Sequence, residues 1–183
     1  MRDGWVVYRS FEFATHQTCL GHLLRRAHAL AEDNPVSARS TPLEVKEILK
    51  SALDARVCSE TRRRQVARQM TERIEALKAI EQPYDANRRL VNHLIVEHDA
   101  LFSFLTHPGV EATNWRAEQA IRPAVVNRKV WGGNRTWRGA ATQSRIMSVM
   151  RTAVQRGIDP IEYLVRVARA PADEPAWLFY NTH

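Results

Sequence analysis

The stretch Thr113–Gly139, TNWRAEQAIRPAVVNRKVWGGNRTWRG, sets one acidic residue, Glu118, inside the most basic and most Trp-dense window of the chain. Asn114 is a good helix N-cap residue, and the following Trp115 to Arg122 contains no helix breaker. The pattern therefore predicts a helix with Glu118 on its first or second turn. Residues three and four apart share a helix face, so Glu118 looks at Arg122, while Ala117, Ile121 and Val125 form an apolar stripe. Pro123 removes one amide from the ladder and is expected to bend or end this helix. From the residues alone, Glu118 reads as an ion pair with Arg122. The second half, Asn127 to Gly139, carries Arg128, Lys129, Arg135 and Arg138 beside Trp131, Trp137 and a Gly132-Gly133-Asn134 turn. Two readings stand for it. One is a strand and turn that meets nucleic acid, with cations on phosphates and indoles on bases; the other is a half-buried hairpin with solvated arginines.

Outside this window the composition is that of a globular chain. Of 183 residues, 44% are hydrophobic and 26% charged, which excludes an extended disordered protein. A net charge of +7 favours a polyanionic partner, because Lys and Arg gain affinity by displacing counterions from phosphates. Two cysteines, Cys19 and Cys58, exclude a disulfide scaffold and suit a reducing compartment. No apolar run approaches the ~18 residues of a membrane span and the start is not a signal peptide, so a cytoplasmic protein without a membrane partner is expected. No Walker loop, GxSxG elbow or HExxH is present, which leaves NTPase, α/β-hydrolase and zincin chemistry without support.

The rest of the chain reads as helical. Asp3-Gly4 is followed by Trp5, Val6, Val7, Tyr8 and Phe11, spaced for a short helix after a turn. His16, Cys19 and His22 stand three apart and on a helix would share a face; they read as packing residues ahead of a zinc site, since no fourth ligand stands out. Leu20, Leu23, Leu24, Ala27, Leu30 and Ala31 make a stripe that stops before Asn34-Pro35. Thr41-Pro42 with Glu44 reads as a capping box that opens a helical run to Ile80. That run is either one unusually long helix or two, divided near Arg56–Ser59. A second helix from Tyr84 to about Thr106 is expected to pair with it antiparallel. Arg62-Arg63-Arg64 reads as a solvated face, with an approach to DNA as the alternative. Ala140 to Arg156 is a helix stopped by Gly157, and Asp159-Pro160-Ile161-Glu162 restarts one with a cap and a first-position proline. Pro171 to His183 is a tail whose Trp177, Leu178, Phe179 and Tyr180 either dock on the body or fray.

The run TNWRAEQAIRPAVVNRKVWGGNR, followed by a helix and GIDPIEYL, resembles the C-terminal part of the DDE transposases of the insertion sequence 66 family. Asp3-Gly4-Trp5 with Tyr8, and His16-Gln17-x-Cys19-x-x-His22-Leu23-x-Arg25, are similar to that family's segment around its second carboxylate. The family usually has Asn where Trp115 stands and often Arg where Gln119 stands. The resemblance implies a mainly α chain: a truncated RNase-H-like α/β core, interrupted by a helical insertion and closed by C-terminal helices. Its implied parts are a catalytic-core fragment at 1–32, the helical insertion at 33–108, a catalytic return helix and basic turn at 109–139, and a C-terminal helical segment and tail at 140–183. It also implies a bacterial DNA transposase that performs metal-dependent strand cleavage and transfer. Asp3 and Glu118 would be its second and third metal-binding carboxylates, holding two Mg²⁺ (or Mn²⁺) ions in a complete protein. Arg122, Arg128, Lys129, Arg135 and Arg138 would meet transposon ends and target DNA, and homo-oligomerisation is compatible with this reading. The family's first catalytic aspartate has no counterpart here, because the chain begins two residues before Asp3; the chain alone is then expected not to cut DNA. The rival reading is a non-catalytic basic DNA-binding helical module, or a decayed transposon remnant.

Overall fold

The computed structural model describes Ser10, Phe11 and residues 13–170, and among these residues the chain forms α-helices and short 3-10 turns with no strand. The fold is mainly α, as the sequence predicts. Asp3 and the aromatic tail lie outside the described residues. The chain divides into two compact units, 1–116 and 117–183.

The first unit holds α1 (Leu20–Asp33), α2 (Ser40–Asp54), α3 (Glu60–Ala79), α4 (Asp85–Val96) and the single turn α5 (Ser103–Thr106). α1 buries Leu20, Leu23, Ala27 and Ala31, its predicted stripe, and stops at Asn34 before Pro35. It packs on α2, α2 packs on α3, and α3 packs on α4 and α5. Val45, Ile48, Leu49, Ile74, Leu90 and Leu94 meet in one core. Burying each such side chain stabilises by about 1.5–3 kcal/mol.

Two elements depart from the sequence pattern, and a third decides between the two readings left open for residues 41–80. The capping box does not form: α2 starts at Ser40, the Thr41 hydroxyl donates to Gln82 Oε1 at 2.9 Å, and the Glu44 carboxylate accepts from Arg73 Nη2 at 2.6 Å. Both side chains are drawn off by partners distant in sequence. The run from 41 to 80 is two helices, because a 3-10 turn at Ala55–Val57 is followed by the N-cap Ser59, whose Oγ accepts from the Arg62 amide. The helix expected from Tyr84 to Thr106 ends at Val96. It breaks because the backbone beyond Glu97 pairs with residues 17 and 18: the Thr18 amide donates to the Ala100 carbonyl at 2.7 Å, and Gln17 binds both the Leu101 carbonyl and the Phe104 amide. An antiparallel pair thereby becomes part of a small helical bundle.

The second unit holds α6 (Trp115–Trp131, whose first two residues precede the division), α7 (Trp137–Gln155) and α8 (Pro160–Arg169). α7 packs on α8. The turn between them is a Schellman motif: the Ile158 amide donates to the Ala153 carbonyl and the Gly157 amide to the Val154 carbonyl, with Gly157 at φ +72°. Asp159 caps α8 through two bonds, from the Ile161 and Glu162 amides at 2.8 and 2.9 Å. Among its described residues this unit buries only Ala153 and Tyr163.

Candidate functional site

The chain reaches α6 along a short backbone pairing within the first unit. The Leu20 amide donates to the Ala112 carbonyl at 2.9 Å, and two residues on, Cys19 and Asn114 clasp each other. The Cys19 thiol donates to Asn114 Oδ1 at 2.9 Å, and the Asn114 amide donates to Cys19 Sγ at 3.4 Å. The Asn114 side-chain oxygen, predicted to cap α6, accepts from the thiol. Cys19 and His16 also precede α1, so they do not share a helix face with His22; His16 Nε2 lies 2.9 Å from the Phe11 carbonyl.

α6 runs through Pro123 unbroken. Pro123 has no amide to offer the Gln119 carbonyl, yet the helix continues. At 100° per residue, Glu118, Arg122 and Lys129 fall within about 40° of one another around the axis, with Arg122 about 6 Å and Lys129 about 16 Å further along it. Arg128 stands about 80° to one side of Glu118. Glu118 is half-buried; Arg122 is exposed and makes no ion pair among the described residues, so the expected Glu118–Arg122 pair does not form.

Neither a strand nor a hairpin comes after it. α6 continues to Trp131, and the reversal is made by Gly132 and Gly133 at φ +80° and +87°. Side chains are strained in that region, and a Cβ on Gly133 would sit 3.2 Å from Arg128 Cγ, so the bare backbone leaves room for the arginine stem. Arg135 lies in this turn. Thr136 caps α7 by accepting from the Gly139 amide at 3.1 Å, and Asn134 reaches Gln143, which ties the turn to the helix. Trp137, 93% exposed, then stands between Arg135 and Arg138.

The charge is unevenly shared. Residues 117–183 carry ten Arg or Lys against five Asp or Glu, a net of +5, whereas residues 1–116 contribute +2. In the first unit Arg64, Arg73 and Arg88 are paired with Glu60, Glu44 and Asp85. Among the described residues, none of Arg122, Arg128, Lys129, Arg135 and Arg138 forms an ion pair. Arg145 and Arg151 on α7 add to this charge; the sequence reading missed them because their helix read only as scaffold. Two groups are shifted from their ordinary behaviour. Burial pushes the Tyr163 phenol above 10.0, with nearby Arg156 opposing. Arg26 in the first unit is lowered by burial and by neighbouring Arg89, and its Nη1 lies 3.2 Å from His93 Nδ1.

Residues 1–142 match the family described as Transposase IS66 family. The chain belongs to that family. The match takes in the Asp3 segment, all of the first unit and α6 with its basic turn. No curated protein and no solved structure matches this family member. None of its described helices is long and apolar enough to cross a membrane.

The structure thus places Glu118, Arg122, Arg128 and Lys129 on α6, Arg135 in the glycine turn and Arg138 on the first turn of α7. Asp3 falls outside the described residues. As hard oxygen ligands, carboxylates such as that of Glu118 suit Mg²⁺ or Mn²⁺.

Proposed function

We propose that this chain is the C-terminal part of a DDE-type DNA transposase, with Asp3 and Glu118 as two of its metal-binding carboxylates. In this reading residues 1–32 and 109–139 belong to an RNase-H-like core, 33–108 form its helical insertion and 140–183 its C-terminal segment. The observation that carries the DNA part is the unneutralised charge around Glu118's helix, since a carboxylate that acts on phosphate needs the polyanion brought to it. Arg122 and Lys129, on the Glu118 side of α6, would hold the backbone of the strand being processed. Arg128, Arg135 and Arg138 would hold flanking phosphates, with Trp137 available for stacking on an unpaired base. Asp3 and Glu118 would hold Mg²⁺ (or Mn²⁺), which when bound activates the attacking hydroxyl and stabilises the leaving oxygen.

The test is duplex-DNA binding by the purified chain over a range of salt concentrations. Replacing any one of these five basic residues by Ala should remove one cation from the phosphate backbone and reduce the log–log salt slope by about 0.9. Unchanged slopes in all five variants would remove the interface. Catalysis is tested separately, in a nicking assay with Mg²⁺ or Mn²⁺. The 183 residues offer candidates for two of the family's three carboxylates, so the chain by itself should bind without nicking. Nicking abolished by Glu118→Ala would show that a third ligand had been overlooked.

A further inference from the structure

We propose that Arg26 on α1 and Arg89 on α4 converge on one phosphate of duplex DNA, a contact made by the first unit in addition to those of α6 and its basic turn. The two helices pack antiparallel: Arg26 meets His93, and Asn34 Nδ2 donates to Asn87 Oδ1 at 2.8 Å. Arg26 Nη1 lies 3.2 Å from His93 Nδ1, and since a guanidinium only donates, the ring nitrogen is the acceptor. Arg89 stands one turn before His93 on the same face of α4, about 6 Å along the axis, which brings a second guanidinium to this place. Arg26 is lowered by burial and then by the charge of Arg89, as two cations within reach of each other require.

Nothing in the fold neutralises the pair. Among the described residues, the contact with His93 is the one hydrogen bond of the Arg26 side chain, which leaves its other N–H groups for a ligand. The exposed Arg89 side chain makes no hydrogen bond or ion pair there. The carboxylates of these two helices are engaged or distant. Glu32 pairs with His28, Asp85 pairs with Arg88, and Glu97 accepts from the Thr18 hydroxyl. Asp33 stands about 10 Å along α1 from Arg26. Two like charges held together destabilise the free chain, and a phosphate that accepts from both turns the repulsion into attraction. Guanidinium forks match phosphate oxygens in geometry. Arg26, half-buried and oriented by His93, offers its fork already in place. That the phosphate belongs to DNA rests on the function proposed above.

Duplex binding by the full chain over a range of salt concentrations tests this, beside the five alanine variants of that proposal. If the two arginines share one phosphate, Arg26→Gln/Arg89→Gln lowers the log–log slope by about 0.9, not the roughly 1.8 of two separate contacts, and Arg26→Lys/Arg89→Lys keeps it. Arg89→Glu, at an exposed position, serves should the double variant fail to fold: its carboxylate would neutralise Arg26, raising the urea midpoint of the free chain and lowering the slope by the same amount. An unchanged slope in both Arg26→Gln/Arg89→Gln and Arg89→Glu, with lowered slopes in the alanine variants, would overturn this contact and leave the proposed function standing. Lowered slopes here with unchanged slopes there would keep this contact and remove the α6 interface. A fall near 1.8 would overturn the shared phosphate.

Discussion

Replacing Gln17 by Met should destabilise the first unit more than most substitutions of similar size. Gln17 is fully buried and all its side-chain polar atoms are engaged: Nε2 donates to the Thr18 and Leu101 carbonyls at 2.7 and 2.8 Å, and Oε1 accepts from the Phe104 amide at 2.8 Å. A thioether of comparable volume keeps the packing and removes every one of these bonds. The Leu101 carbonyl and the Phe104 amide then stay buried without this partner, at about 1–3 kcal/mol each. Added apolar burial offsets roughly 1 kcal/mol of that. The expected loss is about 1–5 kcal/mol, a large part of the 5–15 kcal/mol typical of a domain. Urea unfolding followed by far-UV circular dichroism measures it, with exposed Val57→Ala as the control. A loss below about 1 kcal/mol would show that water replaces the glutamine, and that the pairing of residues 17–18 with 100–104 is not what ends α4.

Three further outcomes rest on local geometry. Gly133→Ala should strain the turn and displace the Arg128 stem, costing about 1 kcal/mol or more and weakening DNA binding; helical content and binding report the two effects separately. Asp159→Ala removes two capping bonds and should cost about 1 kcal/mol, read as faster amide exchange confined to α8. Because burial raises the Tyr163 phenol, the folded form keeps its proton to higher pH than the unfolded chain does. The resulting stability is complete below the unfolded value near 10 and is lost as pH rises through the folded value, so α7–α8 should loosen in strong alkali and Tyr163→Phe should remove that dependence.

Much of this fold is legible in the residues, and the misses share a cause. The stripe of α1, the glycine stop after α7 and the aspartate cap of α8 are local signals, and the structure keeps them. Thr41, Glu44 and Asn114 carry equally good local signals, yet each is claimed by a partner remote in the chain: Gln82, Arg73 and Cys19. Pro123 does not end α6, which continues to Trp131. For the candidate site, the placement of Glu118 on the first turn of a helix and the basic character of residues 122–138 are both readable. The persistence of α6 to Trp131 and the arginines of α7 are not, since they depend on which surfaces find a neighbour.

The scarcity of buried side chains in the second unit changes what mutagenesis there can report. Helices that bury two residues between them gain little from tertiary packing, which supplies most of the stability of helices in proteins. Whatever binds α6 and α7 therefore supplies ordering as well as direct interactions, and the ordering offsets part of its binding energy. A thermal melt of the free chain is dominated by the first unit and is nearly blind to defects in the second. Substitutions around Glu118 should surface instead as weaker, more temperature-sensitive association, so a variant that melts normally has not been shown to be intact.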